Sequence, residues 1–99
     1  MKKVEIYSAD TCPYCQQAKG ILKREGIPFK EYKIIMAGGR KVEDDNFKEM
    51  KQRANGQTTV PQIVIDGSYY GDDDTLTADL RKGSFAKKFK GSFAKKFKG

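Results

Sequence analysis

Two cysteines, Cys12 and Cys15, enclose a proline and a tyrosine immediately after a short β-prone run, Val4-Glu5-Ile6-Tyr7. That placement constrains the chain more than any other feature. A strand that gives way to a helix at a Cys-x-x-Cys segment puts both sulfurs at a helix start. There the unpaired N–H donors and the positive end of the helix dipole favour a thiolate over a thiol. Cysteines in such settings drop from about 8.5 to roughly 3.5–7.5 in pKa, and the thiolate is the nucleophile. Pro13 suits the first helical turn, because its missing N–H would be unpaired there anyway. It also fixes one backbone angle between the sulfurs. Cys12, at the helix entrance, is the expected attacking sulfur. Cys15, one turn in and more buried, is the expected resolving one. Asp10 or Thr11 is the expected cap of this helix.

Other uses of the pair fit less well. A disulfide across so small a loop would constrain the unfolded chain little. A zinc site needs four ligands, and a chain with two cysteines and no histidine offers too few, so no metal is expected. An iron–sulfur cluster shared between two chains is the more serious alternative. The absence of histidine also means that no Cys–His pair activates the thiol. Two closely spaced cysteines do not resemble a secreted disulfide scaffold, and no run of about 20 apolar residues suggests a membrane span. With no secretory leader recognisable, the expected compartment is the cytoplasm.

The pattern along the chain reads β-α-β-α-β-β-α. After the first strand and helix, Gly26 and Pro28 stop the helix, and Phe29 to Ile35 alternates as a second strand. Gly38-Gly39 marks a loop. A second helix is expected from about Asp44 to Ala54. Gln62-Ile63-Val64-Ile65 forms a third strand, and Asp66-Gly67 turns it into a fourth at Ser68-Tyr69-Tyr70. Three acids, Asp72-Asp73-Asp74, open a third helix, where they suit its dipole. A helical crossover makes the first two strands parallel, and the last two form an antiparallel hairpin. The expected architecture is α/β, a four-stranded mixed sheet flanked by three or more helices.

Charge divides the chain. Residues 1–80 hold twelve basic and thirteen acidic side chains, whereas residues 81–99 hold eight basic and none acidic. Gly83 to Lys90 recurs as Gly91 to Lys98, with Phe85, Phe89, Phe93 and Phe97 four apart. We therefore expect a domain over residues 1–82 and a basic Phe/Lys tail over 83–99. The first copy is expected to finish the last helix, with Phe85 and Phe89 on the sheet. Such a tail suits an anionic membrane or nucleic acid. A solvated extension or a duplicated end is the preferred reading, so neither is taken as a partner.

Cys12-Pro13-Tyr14-Cys15, followed by Thr59-Val60-Pro61-Gln62-Ile63 and by Gly71 with its acidic helix start, resembles a glutaredoxin over about Val4 to Leu80. The Ile35–Phe47 segment with Asp44-Asp45 is most similar to phage-type members. The resemblance implies a thioredoxin-like fold and a glutathione-dependent thiol–disulfide oxidoreductase. Its co-substrate would be glutathione and its partners disulfide-containing or glutathionylated proteins, with ribonucleotide reductase a client by analogy. A monomer is implied. So is a cis bond between Val60 and Pro61. Glutathione would pair with the backbone at Thr59, Val60 and Pro61, pack beside Tyr14, and place its γ-glutamyl carboxylate on the N–H groups of Asp73 and Asp74. Members that hold iron–sulfur clusters often lack proline after the first cysteine, so Pro13 disfavours that alternative. Many members carry a lysine where this chain has Ala9. Lys19, Lys48 and Lys51 are the alternatives for the missing cation.

Overall fold

The computed structural model describes residues 2–90. Four strands, β1 (Val4–Ser8), β2 (Lys30–Lys33), β5 (Gln62–Ile65) and β6 (Ser68–Gly71), form one sheet in the order β2-β1-β5-β6. β1 runs parallel to β2 and antiparallel to β5, and β5 and β6 form the antiparallel hairpin. Three longer helices, α1 (Pro13–Arg24), α2 (Asp45–Arg53) and α3 (Asp73–Lys82), cover it, with a short α4 (Phe85–Lys90) following.

The two central strands are buried along their whole length. Their side chains alternate between two cores, as the pleat requires. Val4, Ile6, Ile63 and Ile65 point to α1, α3 and α4, where they meet Ala18, Leu22, Leu76 and Phe89. Tyr7 and Val64 point to the other face and meet Phe47 and Met50 of α2. Burial on both faces explains why Gln62-Ile63-Val64-Ile65 carries so little polar alternation.

Three sequence expectations require correction. The second strand spans Lys30–Lys33 and stops short of Ile35. The Gly38-Gly39 segment is no plain loop, because β3 (Met36–Ala37) and β4 (Arg40–Lys41) pair around it as a small ribbon. Both glycines adopt positive φ, +58° and +77°, the combination a tight two-residue hairpin demands. Finally, the first Phe/Lys copy does not prolong α3. Gly83, at φ +81°, ends that helix in the left-handed region, and the Ser84 N–H donates back to the Asp79 carbonyl at 3.0 Å. α4 then begins as a separate helix, with Phe85 and Phe89 buried in the core. The second copy, residues 91–98 with Phe93 and Phe97, lies outside the described residues.

The α2 face buries a charge. Glu5 is 4% exposed, and its carboxylate accepts from Arg53 Nη2 at 2.9 Å and from the Tyr32 hydroxyl at 2.9 Å. Arg53 also donates to the Tyr7 hydroxyl at 2.9 Å, and Tyr7 stacks on Tyr32. The Arg53 hydrogen bond is the main force holding the Glu5 carboxyl below its ordinary 4.5. A carboxylate depressed by folding contributes stability above its unfolded pKa, and that contribution is lost as pH falls through the folded value. Stability should therefore decline on acidification below about pH 4.5 in the wild type. Glu5→Gln should flatten that part of the curve. Urea midpoints measured against pH check this, and an unchanged slope in the variant would contradict it.

Candidate active site

The sheet register brings three distant segments to one end of the molecule. β1 finishes there at Ser8, and β5, pairing Gln62 with Tyr7, begins there. β6 returns to the same end, pairing Gly71 with Ile63. The turn after β1, the Thr59–Pro61 loop and the start of α3 thus share one rim of the sheet. α1 and α3 pack against each other beside it.

Cys12 itself is the N-cap of α1, in an extended conformation with φ −94° and ψ 113°. This corrects the expectation of an Asp10 or Thr11 cap. The Cys15 N–H donates to Cys12 Sγ at 3.2 Å, so the sulfur takes the place a serine or aspartate oxygen usually fills. Pro13 occupies the first helical turn. The helix N-terminus thus presents one of its unpaired N–H groups to this sulfur. The Cys12 thiol donates to the Val60 carbonyl, with Sγ 3.7 Å from the oxygen. The Val60–Pro61 bond is cis. Gln62 steadies this loop, as its Nε2 donates to the Thr59 carbonyl at 2.9 Å and to Thr59 Oγ1 at 3.0 Å. The Tyr69 hydroxyl donates to Gln62 Oε1 at 2.6 Å.

Cys15 is fully buried. Burial first, and the adjacent Cys12 second, push its thiol up to about 12. Its thiol form is thereby favoured at neutral pH. Iodoacetamide at neutral pH should accordingly label Cys12 and spare Cys15 in the reduced protein. Fragment-ion mass spectrometry of the peptide holding both residues reads this directly, and equal labelling would show that Cys15 is neither shielded nor held protonated.

The other expected residues fall as follows. Tyr14 is 61% exposed beside Cys12. Thr59 is exposed, Val60 half-buried and Pro61 buried. Asp72 caps α3, its Oδ1 accepting from the Thr75 N–H at 3.2 Å. Asp73 and Asp74 form the first turn. Burial and then the Asp74 charge raise the Asp73 carboxyl, which also faces the N–H groups of Asp73 and Asp74. Gly71 sits at φ +146°, and a Cβ there would lie 2.5 Å from Thr75 Oγ1. Glycine is what lets α3 start so close to β6.

Ala9 is buried. Of the three lysines expected to compensate for it, Lys48 and Lys51 are exposed on α2, and Lys19 is paired with Glu31 at 2.7 Å. The cation beside the turn is one that sequence reasoning missed. Lys33, the register partner of Ser8, reaches Asp10 Oδ1 at 2.5 Å. Only the parallel register reveals it, and no local signal encodes that register.

A family model described as Glutaredoxin matches residues 4–70. The chain belongs to the glutaredoxin family. Among curated relatives, Glutaredoxin 3 of Escherichia coli strain K12 is 42% identical over 84 residues, covering 84% of this chain and 93% of its own. A solved glutaredoxin from Brucella melitensis is 33% identical, covers 92% of each chain and superposes with a TM-score of 0.69. A buckwheat glutaredoxin solved in complex with glutathione is 20% identical, with a TM-score of 0.72 and coverage of 90% of this chain and 77% of its own, and shares the fold. The architecture is thus thioredoxin-like, and glutaredoxin membership implies thiol–disulfide oxidoreductase activity.

Proposed function

We propose that this glutaredoxin reduces protein disulfides and glutathione mixed disulfides at glutathione's expense through Cys12 and Cys15. Cys12 Sγ attacks the disulfide, and a mixed disulfide forms on it as the partner sulfur leaves with the electron pair. Cys15, or a second thiol from glutathione, then attacks that mixed disulfide. The observation that carries this reading is Cys12 Sγ standing as the cap acceptor of α1, 3.2 Å from the Cys15 N–H and 3.7 Å from the Val60 carbonyl.

The glutathione half of the reading draws on family membership and on the buckwheat relative of the same fold, which holds glutathione. In this chain the peptide would lie along Thr59, Val60 and Pro61 and beside Tyr14. Its γ-glutamyl carboxylate would take the N–H groups of Asp73 and Asp74, displacing the Asp73 carboxylate that faces them. Lys33 is the basic side chain beside Asp10 for the other end of the ligand.

The test is turnover of a glutathionylated peptide with glutathione, glutathione reductase and NADPH, set against thioredoxin reductase as the alternative electron source. Rapid NADPH consumption with glutathione supports the proposal. Turnover sustained by thioredoxin reductase alone would leave the oxidoreductase activity intact and remove glutathione from it.

A further inference from the structure

Cys15 poses a difficulty for the two-cysteine route. It is fully buried, and burial disfavours the thiolate that must attack the mixed disulfide on Cys12. A charge that works against this penalty stands one helical turn away. Lys19 follows Cys15 by four residues on α1, so the two share a side of the helix.

Lys19 does not reach outward to water as a helix lysine usually does. Its side chain is 12% exposed, and Nζ lies 2.7 Å from Glu31 Oε2. The same oxygen accepts from Ser8 Oγ at 2.5 Å. Ser8 is wholly buried at the end of β1, next to Ala9. Glu31 is the register partner of Ile6, so it points to the α1 side of the sheet. Burial works to raise the Glu31 carboxyl, but the bonds from Lys19 and Ser8 outweigh it and hold the group below its ordinary value. The carboxylate is therefore charged at neutral pH and draws the ammonium inward, into the layer between helix and sheet where Cys15 lies. Against burial and Cys12 work first the backbone hydrogen bond at Ala9 and then the Lys19 charge. The other charged groups at this end are Asp10 and Lys33, paired at 2.5 Å, and the acids Asp72, Asp73 and Asp74 at the start of α3, with Cys12 as the neighbouring titratable group.

We infer that Lys19, anchored by Glu31 and Ser8, is a positioning residue for the resolving step, its inward ammonium stabilising negative charge on Cys15 Sγ as that sulfur attacks. The inference rests on the dithiol reading above. In the step, Cys15 gives its proton to water, and its thiolate attacks Cys12 Sγ of the mixed disulfide. The Cys12–Cys15 bond forms and the Cys12–substrate bond breaks. The substrate sulfur departs with the electron pair and takes up a proton. Two electrons pass from the cysteine pair to the substrate.

Equimolar dithiobis(nitrobenzoate) separates the two steps in a stopped-flow experiment. The first coloured thiolate released reports attack by Cys12, and the second reports closure by Cys15. Cys15→Ser marks the first phase alone. Lys19→Met should displace the pH profile of the second phase toward higher pH and slow that phase at neutral pH. A more basic thiolate is also a better nucleophile, with a Brønsted slope near 0.4–0.5, so the slowing should stay small, about two- to fourfold. Lys19→Arg keeps the charge and should restore the profile. A second-phase profile unmoved in Lys19→Met would overturn the inference. So would equal slowing of both phases in the Met and Arg variants, the mark of a purely structural pair. A wild-type protein that released one equivalent only would take down the dithiol reading itself, and this inference with it.

Discussion

Cys12→Ser should lose turnover of a glutathionylated peptide by on the order of 10³-fold or more, the scale on which removal of a covalent nucleophile acts. The reason for confidence that the loss is chemical lies in the cap. Serine is among the best N-cap residues, so its hydroxyl can accept the Cys15 N–H that Cys12 Sγ accepts now. The variant should melt within a few degrees of the wild type, as surface-compatible changes do. Cys15→Ser should behave differently. It keeps the attacking sulfur and the site around it, and glutathione can resolve the mixed disulfide from outside. About a tenth or more of the activity on the glutathionylated peptide should remain, whereas reduction of an intramolecular protein disulfide should fall much further, since that route needs an internal resolving thiol. Parallel assays on both substrates check the pair of variants. Turnover retained by Cys12→Ser would assign the nucleophile elsewhere, and equal collapse of both variants on the peptide would mean that the second thiol is obligatory.

Phe89→Ala should cost about 3–5 kcal/mol of stability, the range for truncating a buried aromatic side chain. Phe89 is wholly buried, stacks on Phe85 with ring centroids 4.6 Å apart, and meets Tyr70 edge-on at 4.9 Å. Around this cluster a polar clasp ties α4 to α3 and β6. Asp79 accepts from Ser84 Oγ at 2.9 Å, from Lys88 Nζ at 3.4 Å and from the Tyr70 hydroxyl. A helix of this length does not hold itself in water, so its order depends on docking. At roughly 4–8 °C per kcal/mol for a domain of this size, the melting temperature should fall by at least about 12 °C. Lys87→Ala, an exposed change on the same helix, should move stability by no more than about 0.5 kcal/mol. Were Phe89→Ala to melt with the wild type, α4 would be an appendage and not part of the folded unit.

Much of this was legible in the residues because the signals are local. Pro13 in a first helical turn, Gly26 and Pro28 after a helix, and Asp66-Gly67 between two β-prone runs each act within a few residues. The order of strands and helices could therefore be read along the chain. The difference in burial between the two sulfurs was legible for the same reason, since Cys12 stands at the helix start and Cys15 lies three residues inside it. The ribbon around Gly38-Gly39 was missed because two-residue strands leave almost no periodicity to detect. The separate α4 was missed because Phe85 and Phe89 fit a prolonged α3 as well as a new helix. Gly83 decides between them by the conformation it adopts, and its identity alone does not fix that conformation.

The chain on its own determined that two cysteines sit at a strand–helix switch and that the second lies deeper than the first. The tertiary structure decided what surrounds that pair. It set the Val60 carbonyl against a sulfur 48 residues away, placed Lys33 beside Asp10, and turned Lys19 inward onto Glu31. These contacts follow from strand register and from the packing of helix on sheet. Both are fixed by burial summed over the whole domain, so no short stretch of sequence carries them.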